Sequence, residues 1–128
     1  MITLDGVERK LHAEDLLIAN QKEALCLAGL MGGKASGVSK ETESIFLESA
    51  NFDAVSIRKM AKRHGLNTDA SFRFERGVDP ELTYFALNRA IDLIVSITGG
   101  TLTGGTRDKI INPIQEISRQ NNCHVEVV

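Results

Sequence analysis

The chain has no tryptophan and one tyrosine beside five phenylalanines, so whatever core its 128 residues build is mostly aliphatic. Its only cysteines, Cys26 and Cys123, stand far apart, one in an apolar run and one near the C-terminus. A disulfide between them is open but unsupported by any spacing pattern, and buried or free thiols in a reducing cytoplasm are the expectation. A formal net charge of −2 supplies no global attraction for nucleic acid or an anionic membrane, so polyanion binding requires a local basic patch. No apolar run approaches the roughly 20 residues of a membrane span, and Met1 to Gly6 lacks the charged-then-apolar layout of a signal. A cytoplasmic protein with no membrane partner is therefore expected. His12, His64 and His124 show no ligand spacing with the cysteines beyond the adjacent Cys123-His124, so no metal site is expected. The serines have no nucleophile-elbow setting.

What is present is ordinary soluble composition, 42% hydrophobic and 25% charged, at a length that suits one domain. Asp5-Gly6 centres a small hairpin over Thr3 to Lys10. Leu16 to Ala19 reads as a short strand, Asn20 to Glu23 as a turn, and Ala24 to Met31 as a strand buried on both faces. A glycine-rich loop, Gly32 to Gly37, precedes a third strand over Ser44 to Phe52. Asp53 caps a helix with Ile57, Met60, Ala61 and His64 on its apolar face, and Gly65 stops it. The stretch Thr68 to Pro80 reads as extended, because Phe72 and Phe74 alternate with Arg73, Glu75 and Arg76; its charges, with Asp79, suit a salt-bridged corner. Asp79-Pro80-Glu81 opens a second long helix, with proline at its first position and an apolar face wide enough for burial on most sides, ending at Gly99-Gly100. Thr101 to Pro113 reads as a loop and an edge strand (Lys109-Ile110-Ile111), and His124 to Val128 as an apolar terminal strand. The expected class is mixed α+β, a mixed sheet against two or three helices. Neither terminus reads as a domain boundary, so a piece of a longer chain, incomplete at its N-terminus, is expected.

Gly29 to Gly37 is not a triphosphate loop: Ala28 stands where its first glycine belongs, Ala35 follows Lys34, and no helix follows. The small residues Ala28, Gly29, Gly32 and Gly33 instead let a ligand or strand approach the backbone. Glu48 is the one ionisable group in Ile45 to Ala50, either on a solvated strand face or aimed into a polar cavity. Arg58, Lys59, Lys62 and Arg63 line one helix face, as a solvated surface or a phosphate-contact patch. His64 suits packing or capping rather than base chemistry.

Three stretches, Leu27 to Gly33, Leu47 to Phe52 and Arg63 to Pro80, together resemble the central module of the bacterial phenylalanyl-tRNA synthetase beta subunit. The resemblance runs from Leu4 to Gly100 in order and spacing, and it identifies residues 1–113 as the larger C-terminal part of that module. Residues 114–128 are then the start of a following segment or a terminal strand. The resemblance implies a mixed α/β domain that hydrolyses tyrosine wrongly attached to the phenylalanine tRNA. It implies that Glu48 accepts the tyrosine hydroxyl, that Ala28, Gly29 and Gly32 form the backbone wall, and that Thr68 and Ala70 lie near the ester. The basic face Arg58, Lys59, Lys62, Arg63 would then contact tRNA. The family's pocket includes a histidine upstream of its Leu-Asp-Gly-Val-Glu turn, which this sequence does not contain. Implied partners are tyrosine-bearing tRNA(Phe), the synthetase alpha subunit and the rest of the beta subunit. No cofactor is implied here; ATP and Mg belong to the synthetic site of the whole enzyme. A stand-alone trans-editing deacylase and a non-catalytic RNA-binding or docking module are the alternative functions.

Overall fold

The computed structural model describes residues 1–104, 107–110 and 119–126. They fall into two compact units, one of Met1–Gly37 with Phe52–Gly77 and one of Val38–Asn51 with Val78–Val128. Among the described residues every strand pairing is antiparallel, and the strands form two three-stranded sheets. The mixed α+β class is as expected; the single mixed sheet becomes two antiparallel ones. No helix among the described residues is long and apolar enough to cross a membrane.

In the first unit the sheet runs β1 (Leu17–Ala19), β2 (Ala24–Leu27), β3 (Met31–Gly32), in that order. Asn20 builds the β1–β2 turn by accepting from the amides of Lys22 and Glu23, both at 2.8 Å. The turn at Asp5-Gly6 forms as expected, with the Gly6 amide donating to the Thr3 carbonyl at 2.8 Å and Ile2 bridged to Glu8. The run Ala24 to Met31 is not one strand. It reverses at Ala28-Gly29-Leu30, where Gly29 has φ +67° and a Cβ would meet Ile57 at 2.9 Å and Phe52 at 3.0 Å. The turn is apolar because it is pressed into the core: Leu27 and Ala28 are fully buried and Leu30 nearly so. Polar turn chemistry was therefore absent from the sequence.

Helix α1 (Ala54–His64) starts as expected, the Asp53 carboxylate accepting from the Ser56 amide at 2.7 Å, and ends at Gly65. Ile57, Met60 and Ala61 are buried. The stretch read as extended is instead helix α2 (Asp69–Phe74). Thr68 caps it: its hydroxyl accepts from the Ser71 amide at 3.1 Å, while the Ser71 hydroxyl accepts from the Thr68 amide at 2.9 Å. That reciprocal cap satisfies two orphan donors and outweighs the alternation of aromatics. Phe74 turns inward onto Phe52, ring centres 5.0 Å apart and edge to face.

In the second unit β4 (Ser44–Ala50), β6 (Arg119–Glu126) and β5 (Arg107–Ile110) lie in the order β4-β6-β5. β5 takes an edge as expected; Ile111 and the rest of 111–118, with 127–128, lie outside the described residues, and of 114–128 only β6 is described. Helix α3 (Leu82–Thr98) packs on this sheet, the Ser49 hydroxyl donating to the Thr83 carbonyl at 2.8 Å. Its start differs from expectation. Glu81 is the capping residue, Pro80 lies in the preceding turn, and the Asp79 carboxylate accepts from the Glu81 amide at 3.0 Å. Burial on most sides is also corrected: Thr83 and Leu87 are buried, whereas Phe85 is 71% and Ile97 79% exposed. A helix laid on one sheet buries one stripe, however apolar its other faces are.

Gly29→Ala is expected to destabilise the chain by about 3 kcal/mol, from left-handed backbone strain plus overpacking against Ile57 and Phe52. Gly6→Ala, at φ +79° with nothing within 4 Å, should cost only about 1 kcal/mol. Urea unfolding of both variants checks the difference; equal losses would refute the packing role of Gly29.

Candidate functional site

The first unit gathers several of the residues singled out by sequence around one bond. Thr68 Oγ1 donates to the Leu30 carbonyl at 2.9 Å, tying the α2 cap to the turn that contains Ala28 and Gly29. Ala28 is fully buried, Gly29 is enclosed by side chains, and Ala70 is half-buried in the first turn of α2. Gly32 lies in β3, where a Cβ would meet the Leu4 side chain at 3.0 Å. The glycine-rich loop folds back on β2, with the Gly33 amide and the Ser36 hydroxyl both donating to the Leu25 carbonyl at 2.8 Å. The Thr68 hydroxyl has spent its proton on Leu30 and one lone pair on Ser71. One acceptor position remains, enough to orient a water through the water's own hydrogen.

Glu48 belongs to the second unit. Ser49 bonds toward α3, so Ser44, Phe46 and Glu48 occupy the opposite face of β4, and all three are exposed. Among the described residues the Glu48 side chain makes no hydrogen bond or ion pair. Water is nonetheless partly excluded around its carboxyl, and this desolvation raises its pKa above the ordinary 4.5. The strand register sets Asn122 opposite Glu48, and Arg107 opposite Asn122. No sequence spacing signalled that row.

The basic face of α1 is divided. Arg63 is tied to Asp15 and, at 2.8 Å, to Glu14, while Arg58 donates to the Glu75 carbonyl at 2.9 Å and Lys59 lies in the field of Asp53. The Lys62 side chain makes no ion pair or hydrogen bond among the described residues. His64 is a packing residue, its side chain 6% exposed and its Nε2 at 2.7 Å from Asp15. Burial would raise the Asp15 pKa, but bonds from the His12 amide, His64 and Arg63 outweigh it and hold the carboxyl below its ordinary value. Sequence reasoning missed this cluster, since 49 residues separate Asp15 from His64 and no local pattern links them. Of the expected salt-bridged corner, Arg76 pairs with Glu75 at 2.6 Å; Asp79 serves its own turn.

A family described as the B3/4 domain matches residues 1–99. The chain is 56% identical over 115 residues to the phenylalanine–tRNA ligase beta subunit of Porphyromonas gingivalis, covering 89% of this chain and 14% of that protein. It is 53% identical over 97 residues to the beta subunit of Pectobacterium atrosepticum, covering 76% of this chain and 12% of that protein. For the beta subunit of Bdellovibrio bacteriovorus the identity is 46% over 115 residues, 90% of this chain and 14% of the relative. The chain thus spans about one-seventh of the length of the curated relatives it matches.

The raised pKa of Glu48 has a stability consequence. Its charged form is worse off in the folded chain, so stability is lost as pH rises through the folded pKa, and the loss is absent below the ordinary value of 4.5. Glu48→Gln is therefore expected to raise the Tm at roughly pH 8 and to leave it unchanged at roughly pH 3.5. A lower Tm for the variant at the higher pH would show that the carboxylate is a stabilising group.

Proposed function

The chain belongs to the B3/4 domain family, and from that premise we propose that it is the part of a phenylalanine–tRNA ligase beta subunit that clears tyrosine from tRNA(Phe) by ester hydrolysis. The observation that carries the reading is Glu48, an acid without a partner among the described residues, on a strand where its charge costs stability. Perturbed, unsatisfied acids of this kind mark functional positions. An apolar synthetic pocket built for phenylalanine rejects an added hydroxyl only ~10²-fold, so accurate ligation calls for a second site that selects the hydroxyl. Glu48 accepts the hydrogen bond of the tyrosine hydroxyl. A phenylalanine in the same place leaves the carboxylate desolvated and unpaired, a difference of about 1–3 kcal/mol.

Hydrolysis of an aminoacyl ester needs no strong nucleophile, and positioning a water can suffice. Thr68 suits that role because its hydroxyl is fixed by Leu30 and Ser71 with one acceptor position left. Ala70 keeps the adjoining turn of α2 short-sided next to the ester. Glu48 serves recognition and Thr68 positioning; the chemistry needs no metal or nucleotide here. ATP and Mg act at the synthetic site of the whole ligase, and the partners are the alpha subunit, the rest of the beta subunit and the mischarged tRNA.

In the assembled ligase, Glu48→Ala is expected to slow deacylation of tyrosyl-tRNA(Phe) by about tenfold or more while leaving phenylalanylation unchanged. Single-turnover release of labelled tyrosine measures it. A Glu48→Ala enzyme that clears tyrosine at the parental rate would overturn the assignment.

A further inference from the structure

The α1–α2 segment carries charge out of proportion to the chain. Residues 54–77 hold six arginines and lysines against Asp69 and Glu75, in a chain of net charge −2. Arg63 faces away into its bonds with Asp15 and Glu14. Beside the remaining cations, a cleft of about 340 Å³ opens at the end of α1, lined by Arg58, Ala61, Lys62, Leu66, Asn67 and Glu75. Arg58 keeps most of its guanidinium protons available after its one bond to the Glu75 carbonyl, and Lys62 is uncommitted among the described residues. The one carboxylate on this rim, Glu75, is occupied by Arg76 at 2.6 Å.

The same rim leads to an aromatic. Phe72 is 51% exposed, although Phe74, two residues on, is packed inside. The Arg76 guanidinium lies 3.5 Å from the centre of the Phe72 ring and is fixed there by bonds to the Phe72 carbonyl at 2.7 Å and to Glu75. A flat, immobilised ring and guanidinium pair next to a cationic cleft matches the two needs of a single nucleic-acid strand, a platform for a base and charge for its phosphates. A bilayer surface would call for a convex basic face with several apolar anchors, and here there is a concavity with one aromatic.

We propose that the α1–α2 corner binds single-stranded RNA, with backbone phosphates in the Arg58–Lys62 cleft and an unpaired base on the Phe72–Arg76 stack. The choice of RNA over DNA rests on the tRNA reading above; the surface itself does not. The probe is a fluorescein-labelled, unstructured RNA dodecamer of mixed sequence, with the DNA of the same sequence and phosphatidylserine vesicles as comparisons. Anisotropy titrations of the full chain at low and moderate salt give affinity and salt slope. Arg58→Ala with Lys62→Ala is expected to weaken RNA binding about tenfold and to flatten the log–log salt slope by roughly 1.4, or about 0.7 per lost cation. Phe72→Ala should weaken it about fivefold or more without changing the slope, and Phe72→Tyr should restore it. Lys34→Ala should bind as the parent does. Circular dichroism establishes that each variant is folded, and Phe72→Tyr against Phe72→Ala keeps the test valid if the double variant unfolds. Parental affinity in the corner variants, tighter binding of the DNA, or binding of vesicles alone would overturn the proposal. Parental RNA affinity in the corner variants beside intact Glu48-dependent hydrolysis refutes the surface only; corner-dependent RNA binding beside Glu48-independent hydrolysis refutes the editing reading only.

Discussion

A single hydroxyl, that of Thr68, holds the first unit's two critical pieces of backbone. Its proton goes to the carbonyl of Leu30, in a buried turn with no strand partner at that position, and its lone pair goes to the Ser71 amide. Left without a donor, a buried carbonyl costs about 1–3 kcal/mol, and an uncapped α2 about 1 more. The turn needs Gly29 to reverse under α1, and the reversal brings Leu30 within reach of Thr68. Remove the hydroxyl and both the turn and the α2 start lose their anchor. The residues carrying the family resemblance in this unit cluster at that junction for a mechanical reason as well as a chemical one.

Sequence reading succeeded where local chemistry was unambiguous. Asp53, the Ile57–Met60–Ala61 stripe and Gly65 each signalled α1 independently, and Asp5-Gly6 and Asn20 marked their turns. It failed where tertiary contact overrode local pattern. Helix α2 has six residues, fewer than two turns, too few for a 3.6-residue period to show against the alternation of Phe72 and Phe74. Its cap pairs Thr68 with Ser71 rather than with Glu or Gln, so the usual signature was absent. The reversal at Gly29 hid in an apolar run because the turn is itself core. Apolar residues all round α3 suggested enclosure, but one sheet covers one stripe. The Asp15–His64 pair had no local trace at all.

Two acids show how structure separates roles that composition merges. Asp15 has a side chain shut off from solvent and is met by an amide, an imidazole and a guanidinium, so its charge favours the folded chain. Glu48 stands exposed on β4 without a partner among the described residues, and its charge opposes folding. Acids of the first kind explain themselves as scaffold. An acid of the second kind is retained against stability, and that cost is ordinarily tolerated where a ligand supplies the missing donor.

The order in which the chain visits its two units constrains how such a site can be built. It passes from the first unit to the second after Gly37, returns at Phe52, and leaves again after Gly77, so neither unit is a continuous segment. The return point is pinned on both sides. Asn51 donates to the Val78 carbonyl at 2.7 Å within the second unit, and Phe52 packs on Phe74 within the first. Asn51 thereby joins two crossing points of the chain, bringing the end of β4 to the segment that opens α3. A cut after Asn51 divides both units, whereas a cut after Gly37 divides only the first and a cut after Gly77 only the second. Glu48, three residues before Asn51 on the same short excursion, is delivered by a strand that cannot shift register without dislodging that bond. The acid's position is therefore set by the strand register and by the Asn51–Val78 bond that follows it.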